Sequence, residues 1–314
     1  MKKIFLAVLL IVLSVGCNTN SSVLKISTNN HGTFDAIKWS PDGKQLLAFF
    51  VPSKAREHSA LLVYDVDDAK WKEIKDLGSA IVAKIDWLNN QTFVYENGGV
   101  VSPGSGSSEI YSQLFFYNLV TGAESHTGRG SSVVDMCVDY ASHQLMLVRQ
   151  LPTQIETYGI TTLDPDTMIE KVLYTPPLGQ SADEVACSPD GKSVVFTLTK
   201  KNPGASNRVH VYSLNTLDLS NNTPTSLIDF SDLTIDSISW TKDNKIMARV
   251  IDNNYNRAAA LISLDGKQQP LDLHGVDPVI IDPSPTEDKL AVTSLGYPGF
   301  NSVYIIKDYL LMSK

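Results

Sequence analysis

The residues best placed to do chemistry are carboxylates that recur at a fixed distance ahead of a repeated turn. Asp35, Asp135, Asp183 and Asp236 each stand five residues before such a turn. Asp277 stands two residues ahead of Val279, the equivalent position in the last unit, and Ala83 fills the remaining one. If the turns belong to one repeating element, these side chains gather at one mouth of a shared axis. Like charges in such a cluster raise one another's pKa and attract cations or the heads of lysine and arginine. The corresponding chemistry is reception of a metal ion or of a basic peptide segment. The same residues have a structural reading, in which each acid ties an incoming loop to a neighbouring backbone N–H. The spacing is compatible with both. His31-Gly32 and His274-Gly275 each precede an acid at a similar place in the repeat, so both histidines join the candidate set. Repetition of the unit accounts for them without a shared metal or catalytic role.

Strings that carry catalysis are missing. There is no G-x-S-x-G elbow, no H-E-x-x-H helix and no Walker A loop. Gly191-Lys192-Ser193 lacks the upstream glycines of a phosphate loop and belongs to a hairpin. No catalytic residue and no cofactor are assigned; a cation held in the axial channel is the one bound group the acids would suit, and its identity is left open. The formal net charge of −8 over 314 residues gives no counterion-release affinity for nucleic acid, which is set aside as a partner.

The elements that position these residues are short strands around tight hairpins. Trp39-Ser40-Pro41-Asp42-Gly43-Lys44 is echoed by Cys187-Ser188-Pro189-Asp190-Gly191-Lys192. Proline presets φ, aspartate suits the next position and glycine supplies the left-handed residue of a bulged turn. Weaker copies follow Trp87, Asp139, Trp240 and Asp282, and Asn244 takes the glycine place in the copy after Trp240. Anchored at Ser40, Leu88, Tyr140, Ser188, Thr241 and Ser284, the steps are 48, 52, 48, 53 and 43 residues. Six units of this length predict an all-β, six-bladed propeller of four-stranded blades. The sixth unit ends after its third strand, while Val23 to Ser27 has no partner ahead of the first. The expectation is that this N-terminal strand closes the last blade, which removes an exposed seam. Trp39, Trp87 and Trp240 share one position in the unit, as packing between blades requires. Cys137 and Cys187 fall on innermost strands of adjacent blades, but their offsets from the anchors differ by two residues. Export permits a disulfide, yet the offset favours two buried free thiols.

The first residues read as an export signal. Lys2 and Lys3 precede an apolar run, Ile4 to Leu13, too short to span a bilayer as a mature helix. Leu13-Ser14-Val15-Gly16-Cys17 is similar to a bacterial lipobox. That resemblance implies cleavage before Cys17, acylation of its sulfur and a lipid anchor. Two or three acyl chains hold a protein far more firmly than one. The expected division is 1–16 leader, 17–22 lipidated cysteine and tether, 23–314 propeller. Asn18 carries no inner-membrane retention signal, so the outer membrane, facing the periplasm, is the expected address in a cell that has one.

From Val23 onward the chain resembles the WD40-like, SPDGK-bearing propeller of the TolB family. Related blades occur in prolyl-oligopeptidase-like proteases and some polysaccharide lyases. TolB carries an α/β domain ahead of its propeller, and the expectation here is a propeller-only relative. TolB binds envelope proteins, but a shared fold does not transfer an activity. The loops joining second and third strands, Pro52 to Ser59, Asn97 to Glu109, Lys200 to Asn207 and Asp252 to Arg257, should open on the same face as the acids. Long loops on a rigid scaffold are where binding residues sit. The expected function is therefore a non-catalytic, monomeric binding scaffold of the cell envelope that takes a protein or peptide, basic in character, at this mouth. The alternatives are a metal-assisted lyase or hydrolase acting on a glycan, favoured by a histidine cluster joining His31 and His274, and an accessory subunit of an envelope complex.

Overall fold

A computed structural model describes residues 23–26, 31–53, 58–78, 81–101, 109–128, 130–151, 157–201, 210–230, 233–252, 254, 256–295 and 301–309. The leader, Cys17, the tether and parts of the four long loops lie outside these residues. The described residues form six four-stranded antiparallel sheets and no α-helix. Blades 1 to 5 cover 32–78, 81–126, 133–174, 180–230 and 233–271; each strand pairs with the next in sequence. Blade 6 covers 278–307 and takes Val23–Ile26 as its outer strand, with Val23 opposite Ile306 and Ile26 opposite Val303. The innermost strands are Gly32–Trp39, Ile81–Asn89, Val133–Asp139, Gln180–Cys187, Leu233–Trp240 and Pro278–Pro283. Each contacts the innermost strands of both neighbours, and the sixth returns to the first, so the ring is closed.

The SPDGK turns form as their residues dictate. Gly43 and Gly191 have φ of 69° and 67°, and Asn244 takes the same left-handed place at 56°. Ser40 Oγ donates to Asp42 Oδ1 at 2.7 Å and accepts from the Gln45 N–H at 2.9 Å, which ties both ends of the turn together. Ser188 repeats both bonds with Asp190 and Ser193. Glycine is required at Gly191 for a second reason: a Cβ there would meet Ala141 of the preceding blade at 2.4 Å.

The hydrophobic core is six layers, one in each gap between adjacent blades. At the inner end of these layers the seams are closed by a repeated bond. The indole N–H of Trp39 donates to the Asp282 carbonyl at 3.0 Å, that of Trp87 to the Lys38 carbonyl at 3.1 Å, and that of Trp240 to the Ala186 carbonyl at 3.0 Å. Each donor is the last residue before a turn, and each acceptor lies two residues before the turn of the preceding blade. In blade 4 the tryptophan position is Cys187, and there the seam is covalent: Cys187 is bonded to Cys137 of blade 3, with the Cα atoms 5.7 Å apart. The expectation of free thiols is corrected. The apparent offset shrinks to one residue because the blade 3 turn begins at Asp139, which pairs with Gln144 as Ser188 does with Ser193; Cys137 and Cys187 then hold the same positions as the carbonyl and the indole at the other seams.

Two outcomes test the seams. Trp87→Phe leaves the buried Lys38 carbonyl without its donor and lowers unfolding free energy by about 1–3 kcal/mol in urea titrations. Cys187→Ala opens a loop of sequence separation 50 and lowers it by about 2–4 kcal/mol; reductant has the same effect on the parent and none on the variant.

Candidate functional site

All six innermost strands share an irregularity. Their pairing with the second strand shifts between Phe34 and Ala36, Val82 and Ile85, Val133 and Asp135, Ala182 and Val185, Ile235 and Ser237, and Pro278 and Ile280. The skipped residues include Asp35, Ala83, Asp183, Asp236 and Val279, so the position five residues before the turn is a β-bulge in five blades. A bulged residue leaves the ladder and bends its strand. The freed N–H groups find other acceptors: that of Glu184 donates to Thr197 Oγ1 at 3.0 Å and that of Ile280 to Thr293 Oγ1 at 3.1 Å. Blade 3 differs, because its bulge is at Val134 and Asp135 is paired with Val148.

Past the bulge, every second residue of an innermost strand faces the axis. Two polar levels result. Nearer the loop face, Lys84 Nζ lies 3.0 Å from Asp135 Oδ1 and 4.0 Å from Glu184 Oε1. Asp135 Oδ2 also accepts the Val185 N–H at 2.8 Å, which joins blades 3 and 4. Nearer the turn face, Lys38 Nζ lies 3.3 Å from Asp282 Oδ1, and Asp282 Oδ2 accepts the Trp39 N–H at 2.7 Å. Asp86 accepts from Trp87 at 2.8 Å and, across the seam, from Val138 at 3.0 Å.

These charges compensate one another. Burial and the neighbouring Asp135 push Glu184 well above the usual carboxylate range, against the pull of Lys84. Burial opposes the charge on Lys84 as well, but Asp135 and Glu184 outweigh it and hold the ammonium above its ordinary range. Burial raises Asp86 to about 6 despite Lys38, and it raises Asp282 in the same direction.

The channel opens into two compartments. The loop-face one holds about 390 Å³; Lys84, Asp135 and Glu184 line one side, and Ala36, Ser237, Val279 and Ile280, with Arg249 and Asp35, the other. The turn-face one holds about 320 Å³ inside a collar of Pro41, Pro189 and Pro285, with Asp86 and Asp282 at its floor. A third recess of about 710 Å³ lies outside the channel, on the flank between blades 2 and 3. There Arg149 is held by Ser131 and Glu170.

Of the candidate residues, Asp35 is exposed at the loop-face mouth and Asp135 is buried beside Lys84. Asp183 is half-buried at the bulge of blade 4. Asp236 occupies the bulge of blade 5, and its side chain is not described. Asp277, His31 and His274 are exposed on the loop face; Asp277 pairs with Arg257 at 3.2 Å. Among the described residues no three His, Cys, Asp or Glu side chains are grouped so as to hold a metal ion. Counting acids alone misses Lys38, Lys84, Asp86, Glu184 and Asp282. The signal for three of them is a polar residue set between buried ones two positions before a turn, as in Ile37-Lys38-Trp39, Ile85-Asp86-Trp87 and Ile281-Asp282-Pro283.

A pH titration checks the buried level. The folded state binds the Asp86 proton more tightly than the unfolded chain, whose aspartates titrate near ~3.9. Its contribution is therefore present below about pH 4 and lost as pH rises to about 6. Turn carboxylates such as Asp190 and Asp218, lowered by bonds from Ser188 and Ser220, act in the opposite direction but at lower pH. Unfolding free energy falls across this window, and Asp86→Asn makes the slope shallower whatever its offset.

No family model and no curated protein matches the chain. Solved structures do. An oligogalacturonate lyase in complex with manganese superposes with a TM-score of 0.61 at 12% identity, over 90% of this chain and 78% of that one. TolB from Acinetobacter baumannii gives 0.58 at 14% identity, over 86% of this chain and 65% of that one. A TolB structure from Agrobacterium tumefaciens gives 0.55 at 16% identity, over 90% and 96%. Identities this low speak to fold alone: the chain is a six-bladed β-propeller, and its fold is similar to that of the TolB structures.

Proposed function

We propose that the chain is a lipid-anchored, non-catalytic scaffold of the bacterial cell envelope whose loop-face compartment receives a peptide segment of a partner protein. The observation that carries this reading is the two-sidedness of that compartment. The cluster of Lys84, Asp135 and Glu184, on blades 2 to 4, is satisfied among its own members, while blades 5, 6 and 1 offer Ser237, Val279, Ile280 and Ala36 together with Arg249 and Asp35. An entering segment meets apolar contact and hydrogen-bonding groups on one side and a paired charge cluster on the other. Preformed concave compartments of this size are typical of binding sites. The exposed Asp35 at the rim favours a basic residue in the approaching segment. The resemblance to TolB, which binds envelope proteins, agrees with this use of the fold. Anchoring is read from the string ending in Cys17, and with it an outer-membrane address in a cell that has one. A closed ring leaves no unpaired seam, which suits a monomer.

The glycan-lyase reading draws on the likeness to the oligogalacturonate lyase. The described residues do not fit a manganese ion, since no three ligand side chains are grouped, and no step is derived through one.

Photo-crosslinking separates these uses. A benzoylphenylalanine at Val279, inside the compartment, is expected to capture one partner peptide in envelope preparations, and Ala36→Trp, which fills the space, abolishes the adduct. Adducts at Met168 on the outer flank with none at Val279 would move the interface off the channel and overturn the reading.

A further inference from the structure

The two faces of the ring differ in what they expose. Innermost strands run from the loop face to the turn face, and the pairing of Val23 with Ile306 puts the start of the first strand on the turn face. Cys17 is therefore within about 21 Å of that face at full extension of the intervening residues. Among the described residues, eight large hydrophobic side chains are exposed, and Val120, Tyr140, Met168, Ile169 and Leu264 are all in turns on this face. Val120, Ile169 and Leu264 are 71%, 56% and 52% exposed, each in an outer hairpin turn of blades 2, 3 and 5. The matching turns of blades 1 and 4 carry Asp67, Asp68, Ser220 and Asn221 instead. Apolar tips spread over three blades cannot all enter one protein pocket, but they can meet one flat apolar boundary.

We infer that the turn face lies against a lipid surface, with Val120, Ile169 and Leu264 seated at the boundary between headgroups and acyl chains. The inference rests on the anchored reading above, because the tether brings this face to the bilayer. Hydrophobic tips at the end of a short anchor act together: the acyl chains supply attachment, and the tips fix orientation. The loop face and its compartment then point away from the membrane, toward soluble partners. Acids in the outer turns of this face, among them Asp67, Asp68, Asp166 and Asp265, make a neutral bilayer the better surface than an anionic one.

The test supplies the anchor chemically. The chain from position 17, with Cys17→Ser and an N-terminal polyhistidine tether, is bound to phosphatidylcholine vesicles containing a nickel-chelating lipid. A polarity-sensitive NBD group is placed in separate proteins on Ile169→Cys, Leu264→Cys or Leu178→Cys; Leu178 is 95% exposed on the loop face. Lipid-borne spin labels should quench the groups at 169 and 264 at least threefold more than that at 178. Val120→Asp in the same proteins should reduce that quenching, and so should replacing part of the phosphatidylcholine with phosphatidylglycerol. Equal quenching at the three sites, stronger quenching at 178, or none at all overturns the inference. Failure of the anchored reading shows elsewhere: the mass of the Cys17 peptide from cells reports acylation, and the vesicle result does not depend on it.

Discussion

Every blade of this ring has two faces to bury and only its neighbours to bury them against. The wedge between adjacent sheets is filled by side chains along its length, but at its narrow inner end one backbone comes close to the next. A carbonyl two residues before each turn would be stranded there, dry and unpaired, unless the adjoining blade supplies a donor. The indole N–H of Trp39, Trp87 and Trp240 is that donor at three seams. It serves because tryptophan combines a large apolar body, which fills the wedge, with one polar tip that reaches across it. Where blade 4 carries cysteine in place of tryptophan, a bond to Cys137 closes the same gap.

The same closeness explains the charges on the axis. With the strand edges pinned across the seams, alternate side chains of the innermost strands have nowhere to point but the channel. Polar residues there lose water and must find one another. Lys84 meets Asp135 and Glu184 from three successive blades, and Lys38 meets Asp282 across the seam where the ring closes. The carboxylates also accept backbone N–H groups of the next blade, so they join blades as well as balance charge. Half of the channel wall is consumed in this way. At the loop-face level, blades 5, 6 and 1 add Ser237, Val279, Ile280 and Ala36, with Arg249 and Asp35, to the wall.

Closure by the N-terminal strand links the ring to its orientation. Only an antiparallel partner for the last strand of blade 6 satisfies that edge, and this pairing determines on which face the chain enters. A propeller is nearly symmetric about its axis but not between its faces, since tight turns occupy one and longer connections the other. Entry on the turn face places the start of the first strand on the side of the ring opposite the loop-face compartment.

The sequence by itself determined the turns, their number and the closing strand. Ser40-Pro41-Asp42-Gly43 and Ser188-Pro189-Asp190-Gly191 bond within a few residues, and such local chemistry is readable from residue types alone. The alternation that places Lys38, Asp86 and Asp282 on the axis was legible too, as single polar residues inside otherwise buried strands. What only the tertiary structure decided was everything measured across a seam. The position shared by Asp35, Asp183 and Asp236 is a bulge, while Asp135 stands beside one and reaches a buried lysine. Cys137 and Cys187, mismatched by two residues when counted from Tyr140 and Ser188, lie within bonding distance because the blade 3 turn begins at Asp139, whose pairing with Gln144 residue types did not reveal. Turns record where each blade begins and ends, but the relative height of two blades is set by packing between residues about fifty positions apart in sequence, and no local pattern carries that information.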